Sequence, residues 1–277
     1  MFDIWNKKTT IAENAYGKDN YKVVNRKKGG YCVIYCSSNS IWYPNEEYAF
    51  RQAIIERDRY EWENIHSTLA TKEIYVRDVY KSWYVSGINE HVDTINKLIH
   101  FLKKEIGQLP LILIGASSGG YLASILGYFL NAEYVIAFSA QFELRNRWAK
   151  DVNPFLQKYE ADNERAQYYD LKELLLQNST PIYYIVPIRN DQDLYNYEYI
   201  KDVPCIHPMI FNSKHHGVVM PKCCLGKLIS LRKSEIKELF EDVKGKTLSP
   251  IFFSIHFVGF ASTVICLIKM ISKRIRS

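Results

Sequence analysis

Of all segments in this sequence, the glycine-rich stretch Gly115-Ala116-Ser117-Ser118-Gly119-Gly120 has the residue types and spacing best suited to carry out a reaction. It lies between the aliphatic run LILI and the run YLASILGYFL, which has helical periodicity. In a Gly-x-Ser-x-Gly turn from strand to helix, the glycines let neighbouring backbones approach and the turn exposes the serine hydroxyl. We therefore predict Ser117 as a nucleophile. The backbone N–H of Ser118, at the helix N-terminus, can stabilise an oxyanion.

A serine hydroxyl needs a base to remove its proton, and a suitable histidine follows later in the chain. The segment Asn212-Ser213-Lys214-His215-His216-Gly217 comes directly after an apolar, strand-like run. A Ser…Asp…His enzyme places its histidine in such a loop. His216, directly before Gly217, is the predicted base, and the alternative is that it is a solvated loop residue. The histidines elsewhere lie in helical, polar, strand-like or tail segments.

An acid should orient the imidazole, and two carboxylates compete for that position. Asp191 and Asp193 both follow the apolar run from Tyr183 to Ile188. Asp193 could instead cap the next helix, and Asp191 could simply be solvated. We favour Asp193 and keep Asp191 as the alternative acid.

A second donor to an oxyanion is expected from the loop after an earlier strand. The loop Ser37-Ser38-Asn39-Ser40 follows the apolar run YCVIYC, so Ser38 and Asn39 join Ser118 as candidates. The His-Gly-Gly-Gly form of this loop is missing, and a plain polar turn is the competing interpretation.

The elements that must position these residues alternate between strand and helix. Strand-like runs cover Tyr31 to Cys36, Glu73 to Val76, LILIG, Tyr134 to Phe138, Pro181 to Pro187 and Cys205 to Phe211. Helical periodicity covers a segment capped by Asn89 and ending before Gly107, then Gly119 to Leu130, Leu194 to Ile200 and Val219 to Phe240. This alternation predicts an α/β fold with an open, mostly parallel sheet flanked by helices. The polar and aromatic residues 142–180 interrupt it and are predicted to form a cap insertion.

Composition fits one catalytic domain, predicted at residues 1–245, followed by a tail at residues 250–277. The chain has 277 residues, 47% hydrophobic and 24% charged, so no long disordered or collagen-like region is indicated. Its net charge of +6 favours an anionic partner such as a phosphate-bearing donor, a charged glycan or an acidic membrane surface. Nucleic acid is not a predicted partner. The six cysteines show no paired CxxC spacing, so we predict buried thiols and no metal site.

Several stretches together resemble a known family. GASSGGYLASILG, NAEYVIAFSAQFEL and FNSKHHGV resemble the α/β-hydrolase-fold proteins of bacterial capsule and surface-polysaccharide gene clusters. SSNSIWYPNEEYAF, RDRYEW and VRDVYKSWYVSGIN also resemble segments of that group, so the similarity spans roughly residues 31–230. Characterised relatives include serine-dependent capsular polysaccharide O-acetyltransferases.

The resemblance implies an α/β-hydrolase-like fold and a triad of Ser117, Asp193 and His216. It also implies acetyl-CoA as donor, with no bound cofactor, and a polysaccharide or oligosaccharide hydroxyl as acceptor. His216 would deprotonate Ser117, Ser117 would attack the donor carbonyl, and a sugar hydroxyl would resolve the acyl-enzyme. The same triad can hydrolyse esters, so a carbohydrate or lipid esterase is the alternative. A non-catalytic scaffold in polysaccharide assembly is a third possibility.

The tail predicts membrane association. Ile251 to Ile268 contains no Asp, Glu, Lys or Arg, and Lys269, Lys273, Arg274 and Arg276 follow it. The apolar run is short for a spanning helix and is diluted by small polar residues, so a buried helix or an in-plane anchor are the alternatives. The N-terminus MFDIWNKKTT lacks the features of a secretory signal. We therefore expect a cytoplasmic protein at the inner face of the membrane.

Overall fold

The computed structural model describes residues 10–145 and 154–276, and the side chains of residues 11–145 and 154–272. Within these residues the chain forms a sheet of eight strands in the order β1-β3-β2-β4-β5-β6-β7-β8. The strands are β1 (Tyr21–Asn25), β2 (Tyr31–Cys36), β3 (Ala70–Val76), β4 (Leu111–Ala116), β5 (Tyr134–Phe138), β6 (Ile182–Pro187), β7 (Ile206–Phe211) and β8 (Thr247–Leu248). Only the pairing of β1 with β3 is antiparallel among these strands.

Helices cover both faces of this sheet. They are α1 (Thr10–Tyr16), α2 (Glu47–Phe50), α3 (Ile95–Ile106), α4 (Ser118–Phe129), α5 (Pro154–Lys158), α6 (Asn163–Ala166), α7 (Lys172–Leu176), α8 (Asp191–Ile200), α9 (Cys223–Leu228), α10 (Lys233–Asp242), α11 (Pro250–Val258) and α12 (Phe260–Arg276). A short 3-10 turn (Asn39–Ile41) follows β2, and a π-helical segment (Arg51–Glu56) continues α2. The predicted α/β class with a mostly parallel sheet is confirmed.

The central strand β4 shows why a parallel sheet forms. Its six residues are all buried, and successive side chains join the clusters on opposite faces of the sheet. Leu113 packs in one cluster, whereas Ile112 and Ile114 pack in the other. A strand covered on both faces needs no polar alternation. The predicted strand LILIG therefore packs against one hydrophobic cluster on each face of the sheet.

Helix α3 begins later than the sequence predicts. Thr94 is its N-cap and accepts a hydrogen bond from the backbone N–H of Lys97 at 3.2 Å. Asn89, the predicted cap, instead accepts from the N–H groups of His91 and Val92 in a preceding turn. That prediction was wrong because an Asn side chain can close a turn as readily as it caps a helix. The helix ends at Ile106, as predicted, and Gly107 follows with φ 65°.

Two other predicted helices are divided. The amphipathic stretch from Val219 to Phe240 contains two helices, α9 and α10. The apolar C-terminal helix is also two helices, α11 and α12, which meet at Gly259, where φ is 90°. Among the described residues, no helix combines the length and hydropathy needed to cross a bilayer. The predicted cap at residues 142–180 includes residues 146–153, which lie outside the described residues.

Candidate active site

Ser117 occupies the sharp turn between β4 and α4. Its φ of 51° and ψ of −122° are unusual for a residue with a side chain, and its N–H donates to the Phe138 carbonyl at 2.8 Å. The turn is so tight that a Cβ at Gly115 would lie 2.2 Å from the Gly119 oxygen, and one at Gly119 would lie 2.2 Å from the Cys36 oxygen. Glycine is required at both positions because of these close backbone contacts.

His216 links Ser117 to Asp193. Its Nε2 lies 2.9 Å from Ser117 Oγ, and its Nδ1 lies 3.0 and 2.9 Å from the two Asp193 carboxylate oxygens. The Asp193 side chain is fully buried, whereas about a third of the His216 side chain is exposed. Because a carboxylate only accepts, the proton of neutral His216 belongs on Nδ1. Nε2 is then free to accept the proton of the Ser117 hydroxyl, as general-base activation requires.

The neighbouring histidine and the alternative acid lie at the protein surface. His215 and Asp191 are both exposed, and the N–H of His215 donates to Ser213 Oγ in the same loop. The cap of α8 is Asn190, whose side chain accepts from the Asp193 N–H at 3.1 Å. Asp193 is therefore not the capping residue, and its carboxylate is turned towards His216.

Ser139 holds the histidine loop, a role that the sequence analysis missed. Its hydroxyl accepts from the Gly217 N–H at 2.9 Å and donates to the Gly217 carbonyl at 3.1 Å. Ser139 is fully buried directly after β5. Its position at the end of a buried parallel strand was the available signal. The two bonds fix the backbone next to His216.

Gln141 is a second residue that the sequence did not reveal. Its buried side-chain carbonyl accepts from Trp83 Nε1 at 3.1 Å and lies 3.3 Å from Ser117 Oγ. Its amide nitrogen donates to the Ser139 carbonyl at 3.3 Å. The single hydroxyl proton of Ser117 thus has two acceptors within reach, Gln141 and the nearer His216.

The loop after β2 lies beside the turn that carries Ser117. Ser118 Oγ donates to Asn39 Oδ1 at 3.0 Å, so the carbonyl end of the Asn39 amide is held by the residue after the nucleophile. Ser38 is used differently from the prediction. Its N–H and hydroxyl both donate to the Glu61 carboxylate, so this N–H is already engaged and does not serve an oxyanion. Burial raises the pKa of Glu61.

Asp78 organises the loop after β3 that carries Trp83. Its carboxylate accepts from the N–H groups of Tyr80, Ser82 and Tyr84 and from the Ser82 hydroxyl. Burial raises the pKa of Asp78 to about 6. The loop reaches Ser117 indirectly, because Trp83 donates to Gln141.

The arrangement can activate a serine hydroxyl for attack on an acyl carbon. The N-terminus of α4 brings the Ser118 N–H next to Ser117, where a developing oxyanion would lie. Among the described residues, no group of three or more His, Cys, Asp or Glu side chains is placed to hold a metal ion.

Comparison by sequence finds no matching family model and no matching curated protein. Solved structures do match in fold. The capsule O-acetyltransferase of Neisseria meningitidis serogroup A aligns with a TM-score of 0.50 and 14% identity, covering 69% of this chain and 83% of that chain. A protein of unknown function from Staphylococcus aureus aligns with a TM-score of 0.49 and 12% identity, covering 80% of this chain and 94% of that chain.

A histidine-to-alanine variant of the meningococcal enzyme, in complex with CoA, aligns with a TM-score of 0.45 and 13% identity, covering 69% of this chain and 83% of that chain. At these identities the similarity bears on the fold alone. The chain therefore has an α/β-hydrolase fold and resembles a capsule O-acetyltransferase in structure.

Proposed function

We propose that this chain is an O-acyltransferase that moves an acetyl group from acetyl-CoA to a hydroxyl of a bacterial capsular or surface polysaccharide. The hydrogen-bonded chain Ser117–His216–Asp193 is the observation that carries the proposal. The fold shared with the meningococcal capsule O-acetyltransferase supports the choice of acceptor, and the resemblance in the sequence supports the choice of acetyl-CoA as donor.

The reaction proceeds in two transfers. His216 Nε2 accepts the Ser117 proton as Oγ attacks the thioester carbon, and the tetrahedral oxyanion is stabilised by the Ser118 N–H. The C–S bond then breaks, His216 returns the proton to the CoA sulfur, and Ser117 carries the acetyl group. A sugar hydroxyl then attacks the acetyl carbon and gives its proton to His216. The bond between this carbon and Ser117 Oγ breaks, the acetyl group stays on the sugar, and His216 returns the proton to Oγ. Asp193 keeps the imidazole oriented throughout.

Asn39 is the proposed second oxyanion donor. Because Ser118 donates to its Oδ1, the NH₂ end of the amide is the end left for another acceptor. Removing one oxyanion donor lowers kcat by about 10²-fold to 10³-fold in a related chemistry. The pair Ser118 and Asn39 would together hold the oxyanion beside the nucleophile.

Mass spectrometry after rapid mixing with acetyl-CoA tests the nucleophile and donor together. We expect one acetyl group on Ser117, loss of that label in Ser117→Ala, and its persistence in Ser118→Ala. A fluorophosphonate probe should label the same serine. Absence of both labels from the folded wild-type protein would contradict catalysis and favour a scaffold.

Release of CoA, measured with and without oligosaccharide, tests the acceptor. A transferase releases CoA faster when a sugar hydroxyl is present, and the product carries the acetyl group. Partial exposure of His216 leaves water a route to the acyl-enzyme, which favours hydrolysis as the competing reaction. CoA release that no glycan accelerates, together with acetate formation, would identify an esterase instead.

A further inference from the structure

The last two helices carry an unusual share of exposed apolar side chains. Among the described residues fourteen large apolar side chains are exposed, and seven of them lie in α11 and α12. We call these seven the tail surface: Ile251, Phe252, Phe260, Ile265, Ile268, Met270 and Ile271. Scattered single apolar residues are normal on a soluble protein, but a concentration of this kind marks an interaction surface.

Other faces of the same helices attach them to the body. Phe253 is buried and meets Phe211 of β7 edge-on, with ring centroids 5.4 Å apart. Ser254 Oγ lies 2.9 Å from Thr263 Oγ1 and 3.3 Å from Cys224 Sγ, so one polar cluster joins α9, α11 and α12. These contacts fix the rotation of both helices and leave the tail surface facing outward.

The charged residues of the tail itself are all basic, although Asp242 and Lys246 of the body line a cavity next to Phe252. Residues 250–277 contain no Asp or Glu, and their basic residues are Lys269, Lys273, Arg274 and Arg276. Lys269 and Lys222 line one cavity between α9 and α12, and its remaining lining is largely apolar, including Ile265 and Met270. A cavity lined by two ammonium groups and by apolar side chains matches a phospholipid, which has an anionic headgroup and apolar acyl chains.

We propose that the tail surface docks on an anionic phospholipid bilayer, with α11 and α12 lying in the plane of the interface. The apolar side chains enter the acyl boundary, and Lys222 and Lys269 contact lipid phosphates. A second copy of this chain is the less suitable occupant, because self-pairing through α12 would bring like charges together. The cytoplasmic leaflet supplies the complementary negative surface.

Co-sedimentation with vesicles tests the proposal on the full chain. Vesicles of equal parts phosphatidylcholine and phosphatidylglycerol should bind the protein, and vesicles of phosphatidylcholine alone should bind it about tenfold more weakly. Ile268→Glu should weaken binding to the anionic vesicles by about tenfold or more, because it places a charge in the docked face. Lys269→Glu should weaken binding and reduce its sensitivity to salt.

Leu176→Glu is the matched control, because Leu176 is 48% exposed and Ile268 is 57% exposed, and α7 lies outside the tail. The control should bind vesicles like the wild type. Equal binding of wild type and Ile268→Glu, with both folded by circular dichroism, would overturn the proposal. A concentration-dependent dimer that Ile268→Glu abolishes, without vesicle binding by the wild type, would assign the surface to a second copy.

Labelling of Ser117 separates this inference from the proposed function. Ile268→Glu and Lys269→Glu should keep wild-type labelling by a fluorophosphonate in the absence of vesicles. Membrane docking and acyl transfer can therefore fail independently in these experiments.

Discussion

The rim of the sheet around Ser117 and the tail surface differ in where their side chains find contact partners. At the rim, Ser117, His216, Asp193, Ser139 and Gln141 are hydrogen-bonded to one another or to nearby backbone. On the tail surface, large apolar side chains face outward, whereas Ser254 and Thr263 of the same helices are buried and hydrogen-bonded to each other. The rim is thus complete within one chain, whereas the tail surface is arranged for something outside it.

This difference predicts that substitutions at the rim change activity or folding strongly, and that substitutions on the tail surface change neither. The experiments below test that contrast from the largest expected effect to the smallest.

Asp193→Asn should lower kcat/KM by about 10⁴-fold. The amide replaces one of the two oxygens that face His216 Nδ1 and favours the wrong imidazole tautomer. Steady-state kinetics with an activated acetyl ester measures the loss. Asp191→Asn, in the same helix turn but exposed, is the control and should stay near the wild-type rate. Equal losses in the two variants would remove Asp193 from the proposed triad.

Gly119→Ala should destabilise the fold by about 3 kcal/mol, because its Cβ would lie 2.2 Å from the Cys36 carbonyl oxygen. Gly226→Ala is the matched control near the tail. Nothing lies within 4 Å of a Cβ there, and the residue is in the helix α9, so about 0.5 to 1 kcal/mol of stabilisation is expected. Urea unfolding of both variants gives the two values. Similar effects at both glycines would contradict the close contact at the rim.

Asp78 should make stability fall as pH rises from roughly 4 to 6.5. Its pKa in the folded protein is raised to about 6, so its contribution is fully present below the unfolded value and is lost through about pH 6. The free energy of unfolding of the wild type, minus that of Asp78→Asn, should decrease by about 3 kcal/mol across this range. Urea titrations at several pH values measure the difference. A constant difference would show that Asp78 has an ordinary pKa.

Ser139→Ala should lower kcat/KM by about tenfold, because Gly217 loses both hydrogen bonds that hold the backbone beside His216. The loss should fall on kcat more than on KM. Ser213→Ala, which removes the acceptor of the His215 N–H in the same loop, should have a smaller effect on the rate. The reverse order would mean that the loop is held by its own turn.

Ile268→Glu should change the free energy of unfolding in solution by less than about 0.5 kcal/mol, because the side chain is 57% exposed. Thermal or urea unfolding without lipid measures this. A loss of several kcal/mol would show that Ile268 belongs to the core and would remove the contrast between the two regions.

The sequence predicted those features that depend only on residues close together in the chain. Buried strands and the residues at their ends are visible locally, so Ser117, His216 and Asp193 could be assigned to one edge of the sheet, and the structure brings their side chains together. Strand β1 was missed because its residues are partly exposed or charged, which suits the edge of a sheet but gives no apolar run.

Gln141 and Glu61 were missed for a different reason. Their contacts join segments that are distant in the sequence, such as Trp83 with Gln141 and Ser38 with Glu61. Both residues lie in stretches that resemble the family, but no local pattern in those stretches gives either residue a role. The engaged N–H of Ser38 was equally invisible, because a polar loop has the same composition whether its donors are free or bonded. Such pairings are set by tertiary packing.

The position of Gln141 has a consequence for the lifetime of an acylated Ser117. Its carbonyl cannot turn away, since Trp83 holds the oxygen and the Ser139 carbonyl holds the amide nitrogen. Once Oγ bears an acyl group it has no proton to share, so two oxygens face each other at a distance suited to a hydrogen bond. Loss of the acyl group would return a proton to Oγ, which could then donate to His216 or to Gln141. In the proposed mechanism, this contact would disfavour accumulation of the covalent intermediate.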